Sequence, residues 1–256
     1  PRLLNSNPLH SQPTRQHLNT KETLQLTNNM AATSKYADFV QNNLRLGDTA
    51  PDFEADTQLG KIKLYDYLGD NWGVLFSHPR DFTPVCTTEL GRVAQLKKKF
   101  EEHKTKVLAL SVDRVDNHGG WINDINEIVG CTVDFPIVAD PDRRISCLYG
   151  MLNQDHLEDN GMPFTVRSVF IIGPDRKIKT MISYPASTGR NFDEILRVLD
   201  SLQLTVSHKV ATPADWKKGN ECVVLPTIPT DEAKKLFPKG VTEVRPWLRT
   251  TPDPSA

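Results

Sequence analysis

The stretch Val74-Leu75-Phe76-Ser77-His78-Pro79-Arg80-Asp81-Phe82-Thr83-Pro84-Val85-Cys86 passes from large apolar residues through a polar loop into a proline-led segment. Val74 to Phe76, set between Gly73 and Pro79, has the length and composition of a buried strand. Beyond it, Val85, Leu90, Val93, Ala94, Leu96 and Phe100 recur mostly at helical spacing, which predicts a helix from Pro84 to about His103. The runs Lys97-Lys98-Lys99 and Glu101-Glu102 form its solvated end. Thr83 then stands at the N-cap and Pro84 at the first helical position, where its missing N–H costs nothing. Cys86 falls within the first turn, its sulfur toward the positive end of the helix dipole.

Outward from this unit, Val107 to Val112 reads as a second buried strand, Trp121 to Val129 as a helix, Pro136 to Ala139 as a short strand and Ile145 to Tyr149 as a helical turn. Val169 to Ile172 and Ile178 to Tyr184 flank Gly173-Pro174-Asp175-Arg176-Lys177, a turn signal that makes them an antiparallel hairpin. Asn191 caps a further helix, with Asp193 and Glu194 in its first turn and Phe192, Ile195, Leu196, Leu199 and Leu202 inward. On the N-terminal side, Phe53 to Thr57 and Lys61 to Leu64 form a short hairpin about Gly60. The order βαβ, helix, ββα defines an α/β class fold, a thioredoxin-like sandwich with a helix on each face of a mixed sheet, an N-terminal hairpin and an extended C-terminal arm.

The chain has 256 residues, with 31 Lys and Arg against 32 Asp and Glu, so a net charge of -1 supplies no field for nucleic acid. Its longest apolar runs, such as Val169 to Ile172, are far too short to span a bilayer, which excludes integral membrane association. The four cysteines, Cys86, Cys131, Cys147 and Cys222, include no C-x-x-C pair. Neither a disulfide scaffold nor a metal centre is indicated, and a reducing compartment is the simpler reading.

Three segments are expected: a leader over 1–45, a body over 46–206 and an arm over 207–256. Residues 1–29 contain no aromatic residue and only leucine as a large apolar type, so they are expected to be disordered, and Met30 reads as the true start behind an untranslated leader. The arm contains seven prolines and one short helical stretch at Asp231 to Leu236. Its few apolar residues predict no core of its own, and it is expected to lie across another surface.

An ordinary thiol, with a pKa of about 8.5, is only about 3% ionised at pH 7, and a helix end alone rarely changes that enough for a nucleophile. A nearby arginine and a hydroxyl are needed as well. The pattern P-x-x-x-T-x-x-C, carried by Pro79, Thr83 and Cys86, resembles the active-site motif of peroxiredoxins. The longer run SHPRDFTPVCTTELGR (77–92) resembles the one-cysteine, peroxiredoxin-6 type in particular. The likeness extends from Leu46 to about Pro252 through GDTAPDFEADT, YPASTGRNFDEILRVLDSLQL, LPTIP and AKKLFPKGV.

The resemblance implies a thiol peroxidase for hydrogen peroxide and organic, including phospholipid, hydroperoxides, with no cofactor. Cys86 would attack the terminal peroxide oxygen and become a sulfenic acid. Thr83 would bridge sulfur and peroxide, Pro79 would shield the site, and Arg167 would stabilise the thiolate and the departing oxygen. His78, Glu89 and Arg190 would support these residues. Glutathione or another external thiol would reduce the sulfenic acid, because Val210 to Trp216, where two-cysteine relatives carry a resolving cysteine, holds no thiol. Cys222 lies slightly downstream as an alternative resolver. Cys131 and Cys147 read as structural. The resemblance also implies a homodimer, the arm of one subunit covering part of the other.

Some one-cysteine members are described as phospholipases with a G-x-S-x-G nucleophile. Here that place reads Gly69-Asp70-Asn71-Trp72-Gly73, with Tyr65 at the matching histidine position and only Asp175 kept, so serine-type ester hydrolysis is not expected. A peroxide-sensing relay through Cys86 and a chaperone-like assembly are the competing functional classes. A cytoplasmic location is expected, with mitochondrial as the alternative suggested by the acid-poor leader.

Overall fold

The computed structural model describes residues 44–157 and 161–255; the reading of residues 1–29 as a disordered leader lies outside the described residues. The N-terminal hairpin is β1 (Glu54–Thr57) and β2 (Gly60–Lys63), followed by the short α1 (Leu64–Leu68). The central unit is β3 (Trp72–Ser77), α2 (Pro84–Gln95), α3 (Lys97–Glu102), β4 (Thr105–Ser111), α4 (Val115–Val129), β5 (Ile137–Ala139) and α5 (Arg144–Leu148). A two-stranded ribbon of β6 (Leu152–Leu157) and β7 (Pro163–Thr165) leads to β8 (Arg167–Ile172), β9 (Ile178–Tyr184) and α6 (Phe192–Ser207).

The main sheet has the order β2-β1-β5-β4-β3-β8-β9. The β3, β4 and β5 pairings are parallel, whereas β8 lies antiparallel to β3 and β9 antiparallel to β8. All six residues of β3 and all six of β8 are buried, as expected for strands covered on both faces. Alternation sorts their side chains: Val74, Phe76, Ala109, Val169 and Ile171 pack with Leu90 and Val93 of α2, Trp121 and Ile125 of α4, and Ile195 and Leu199 of α6. Leu75, Leu108, Leu110, Phe170 and Ile172 face the other way, onto Leu64 and Leu68 of α1 and Ile145 and Tyr149 near α5. The long helices thus share one face, with the short ones and the hairpin on the other.

The structure departs from the sequence pattern in four places. The helix expected over Pro84 to His103 breaks at Leu96, whose backbone (φ -90°, ψ 3°) leaves the helical basin while its N–H is shared between Arg92 and Val93 carbonyls. Helix α4 begins at Val115 rather than Trp121; Asn117, Gly119 and Gly120 are poor helix formers, and the burial of His118 outweighs their propensity. The β6–β7 ribbon was not expected.

The fourth correction concerns the arm, which does have a core. Val210, Trp216, Cys222, Val224, Ile228, Ala233 and Phe237 cluster with Leu204 from the end of α6. Around them β10 (Val210–Ala211), β11 (Cys222–Val224), α7 (Thr230–Leu236), β12 (Thr242–Arg245) and β13 (Leu248–Thr251) form a sheet of order β10-β11-β13-β12. A low apolar count suffices because Val210, Cys222, Val224, Ile228, Ala233 and Phe237 cluster with Trp216, and because α6 contributes Leu204.

Helices α2 and α4 meet at Gly91. A Cβ there would sit 2.7 Å from Val129 Cγ2 and 3.0 Å from Val129 Cβ. Helix propensity alone favours alanine over glycine by about 1 kcal/mol, whereas forcing a methyl into a filled contact costs about 1–3 kcal/mol. Gly91→Ala is therefore expected to lower the urea midpoint, and to lower it less in a Val129→Ala background, which removes the two methyls but keeps the Cβ at 3.0 Å; an increase on the wild-type background would contradict the contact.

Candidate active site

Strand β3 delivers the chain at Ser77, in the middle of the sheet, and residues 78–83 turn it into α2. Thr83 occupies the N-cap with extended backbone, and Pro84 the first helical position. Its hydroxyl does not cap the helix; it donates to the Arg80 carbonyl (2.9 Å), while the Thr83 carbonyl accepts from the Thr87 amide (3.0 Å) and hydroxyl (2.8 Å). Cys86 is fully buried in the first turn. Pro79 and Thr83 are half-buried beside the exposed Phe82.

The sulfur is met from the sheet side. Arg167, the first residue of β8, donates from Nη1 to Cys86 Sγ (3.3 Å) and to Glu89 Oε2 (2.7 Å), and from Nε to the Ala186 carbonyl (2.8 Å). Glu89 is one turn along α2 from Cys86, so both face the same side. The Glu89 carboxylate also accepts from Arg190, from its amide (2.8 Å), Nε (3.0 Å) and Nη2 (2.7 Å). Arg190 Nη1 donates to the Ser77 (2.8 Å) and Ser168 (3.0 Å) carbonyls, and its guanidinium lies 4.9 Å from the Phe76 ring centre. Burial would push the Glu89 carboxyl up, but hydrogen bonds and charge from Arg190, with the charge of Arg167, hold it below the usual range. Two guanidinium groups against one carboxylate leave a surplus positive charge, and the Arg167 end of it points at the sulfur.

His78 belongs to a second cluster under the same loop. Its Nε2 bonds to Asp81 Oδ1 (2.9 Å), His118 Nδ1 bonds to Asp81 Oδ2 (2.6 Å), and the Ser111 hydroxyl donates to Asp81 Oδ1 (3.1 Å). Burial alone would raise the Asp81 carboxyl, but the bonds from His118 and His78 hold it far below the ordinary carboxylate range. Trp121 of α4 lies against the His78 ring (5.1 Å) and donates from Nε1 to Thr87 Oγ1 (3.0 Å).

Of the residues singled out in the sequence, Cys86, Glu89, Arg167 and Arg190 are thus directly bonded together, and Thr83 and Pro79 lie on the adjoining loop. Asp81, Ser111, His118 and Trp121 went unnoticed. Asp81 stands in the motif as an unassigned x, and the other three come from β4 and α4, which only the folded sheet brings alongside. Cys222 is fully buried in the core of the arm, where burial and Asp253 push its thiol up. Burial and the charges of Asp140 and Asp142 push Cys147 up to about 11, and burial raises Cys131. No disulfide joins the four cysteines, all of which lie among the described residues. Asn71 donates its amide to the Leu68 carbonyl (3.0 Å), the Tyr65 hydroxyl is bound to the Ala50 carbonyl (2.6 Å), and Asp175 pairs with Lys179 (2.6 Å). Among the described residues, no group of three or more His, Cys, Asp or Glu side chains is placed to hold a metal ion, and no helix is long and apolar enough to cross a membrane.

The fold is thus a mixed α/β sheet with a buried cysteine at the start of α2, held by an arginine from β8. Residues 46–181 match the AhpC/TSA family and residues 201–240 the C-terminal domain of 1-Cys peroxiredoxin. The chain belongs to the AhpC/TSA family, in its one-cysteine peroxiredoxin branch, and is a thiol-dependent peroxidase. It is 57% identical over 220 residues to peroxiredoxin-6 of Rattus norvegicus, an alignment spanning 82% of this chain and 98% of that one. A 1-Cys peroxiredoxin of Dictyostelium discoideum is 54% identical over 216 residues, 84% of this chain and 88% of that one. Among solved structures, a peroxiredoxin 6 of Arenicola marina superposes with a TM-score of 0.79 at 51% identity, covering 84% of this chain and all (100%) of that one. A yeast mitochondrial 1-Cys peroxiredoxin, described for thiol resolution through glutathione and thioredoxin systems, gives 0.77 at 46% identity, covering 82% and 100%.

Replacing Glu89 by Gln leaves two buried guanidinium groups without a counter-charge, and Glu89→Gln is expected to cost about 3–5 kcal/mol at pH 7. Because the folded-state pKa of Glu89 is depressed, its contribution is whole above the unfolded-state value of about 4.3 and is lost as the pH falls through the folded value. The gap between wild type and Glu89→Gln in urea unfolding should accordingly narrow below about pH 4; a gap independent of pH would contradict an ionised Glu89 in the native state.

Proposed function

We propose that Cys86 carries the peroxidase reaction, with Thr83, Arg167 and Pro79 acting directly at the peroxide and His78, Glu89 and Arg190 supporting them. The observation that carries this reading is the 3.3 Å contact from Arg167 Nη1 to Cys86 Sγ, made by a guanidinium that Glu89 and the Ala186 carbonyl hold in place. The Cys86 thiolate attacks the terminal oxygen of a hydroperoxide. The S–O bond forms as the O–O bond breaks, and the departing oxygen takes a proton and leaves as water or an alcohol, the cysteine remaining as a sulfenic acid. The Arg167 guanidinium faces the charge that moves from sulfur to the departing oxygen, and the Thr83 hydroxyl, whose proton is given to the Arg80 carbonyl, offers its lone pairs to the peroxide O–H.

Hydrogen peroxide and organic hydroperoxides, phospholipid hydroperoxides among them, are the substrates of this reading. The sulfenic acid is resolved by an external thiol: the thiol sulfur displaces water to give a mixed disulfide, and a second thiol frees Cys86. Glutathione is the reductant proposed, supported by the description of the yeast relative. The burial of Cys222 within the arm argues against its serving as the resolver. A homodimer, with the arm of one subunit on the other, and a cytoplasmic location complete the proposal.

The test is peptide mass spectrometry after one equivalent of hydrogen peroxide and a sulfenic-acid trap, on the wild type, Cys86→Ser and Cys222→Ser. The adduct is expected at Cys86 in the wild type and in Cys222→Ser, and glutathione should clear it. A Cys86–Cys222 disulfide would contradict the external reductant, and an unmodified Cys86 would contradict the site.

A further inference from the structure

The loop that carries the peroxide-facing threonine holds an unfavourable backbone. Phe82, immediately before Thr83, has φ 54°, in the left-handed region that a bulky aromatic residue rarely enters, and the residue is 56% exposed. Packing of an exposed ring, 6.4 Å from Trp121, is a weak restraint, so something else over-determines this conformation. The residue before it supplies the restraint. Both oxygens of Asp81 are engaged, by His78, Ser111 and His118, and its amide donates to Asp113 Oδ2 (2.8 Å). The side chains of Asp81, His78 and His118 are wholly inaccessible.

The histidine chemistry shows what the cluster is for. His78 Nδ1 and His118 Nε2 are buried without any hydrogen-bond partner. Each ring therefore has one polar grip, and each spends it on the same carboxylate. His118 comes from α4, across the site from β3, so the bond ties the Asp81-Phe82-Thr83 backbone to a helix that also holds Thr87 through Trp121. We propose that Asp81 and His118 are positioning residues of the peroxidase site: through the loop backbone they set where the Thr83 hydroxyl stands relative to Cys86, touching neither sulfur nor peroxide themselves. This rests on the reading of Cys86 and Thr83 given above.

The device makes a distinctive demand on reactivity. Peroxide reduction needs the threonine and the sulfur in register, and a misplacement of about 1 Å costs on the order of 100-fold in rate. Alkylation by iodoacetamide needs only a reactive thiol and is indifferent to the Thr83 hydroxyl. The experiment compares full-length wild type, His118→Leu and His118→Asn, measuring at Cys86 the second-order rate of oxidation by hydrogen peroxide and of alkylation by iodoacetamide. His118→Leu is expected to slow oxidation about 10- to 100-fold while alkylation changes less than about threefold. His118→Asn, whose side-chain amide can stand where the ring Nδ1–H stood, is expected to recover most of the loss. If the leucine variant does not fold, His118→Gln, which offers its amide at the Nε2 place instead, should be slow where His118→Asn is fast. Oxidation by the leucine variant within about twofold of wild type, parallel slowing of both reactions, or asparagine no better than leucine or glutamine would overturn the proposal. A wild-type Cys86 that alkylates but does not oxidise would overturn the peroxidase reading itself and the positioning role with it.

Discussion

A carboxylate and two guanidinium groups, nearly all removed from water, sit between helix α2 and strand β8, and the surroundings of the Cys86 sulfur depend on them. Glu89 Oε2 lies 2.7 Å from both Arg167 Nη1 and Arg190 Nη2, with side-chain exposures of 3% or less throughout. Burying three charges is costly unless each is paired and every N–H is met, which is why Arg190 also holds the ends of β3 and the start of β8 through the Ser77 and Ser168 carbonyls. The same bonds that satisfy the arginine lock the loop after β9 to the sheet beneath the site. One positive charge remains in excess, and the donor carrying it is 3.3 Å from Cys86 Sγ. The charge balance of the buried cluster and the surroundings of that sulfur are therefore set by the same three side chains.

The second constraint is geometric. Thr83 leads into α2 from a loop with positive φ at Phe82, and the Asp81, His78 and His118 cluster sets the approach. Both clusters bridge α2 and its loop to other elements, Glu89 to β8 and Arg190, Asp81 to β4 and α4. The first turn of α2 and the loop that leads into it are thereby each tied to elements distant in sequence. Such sites tolerate little freedom, because a reaction that consists of aligning a sulfur with an O–O bond gains chiefly from preorganisation.

Much of this was legible before any coordinates. Short apolar runs, the turn signal at residues 173–177 and helical spacing located β3, β4, β8, β9 and α6, and Asn191 does cap α6, accepting from the Asp193 and Glu194 amides. Cys86 and its motif stood out because strand, loop, proline and thiol are contiguous. Arg167, Glu89 and Arg190 came from the family likeness alone; nothing in their spacing announces that residues 78 and 101 positions apart share a carboxylate. His118 was invisible for a related reason. It lies in a glycine- and asparagine-rich stretch whose propensity argues against a helix, and the burial that makes it helical is the same burial that brings it to Asp81. The arm was misjudged by counting apolar residues instead of asking whether they converge, as they do about Trp216.

The central claim, that a preorganised positive cluster and an anchored threonine turn an ordinary cysteine into a peroxide-reducing one, is tested most directly by rapid mixing of the reduced protein with hydrogen peroxide. The second-order rate should exceed that of a small thiolate by about 10,000-fold or more, a factor within reach of orientation and electrostatic stabilisation, and should fall by at least about 100-fold in Arg167→Met. A wild-type rate equal to that of a free thiolate would contradict it.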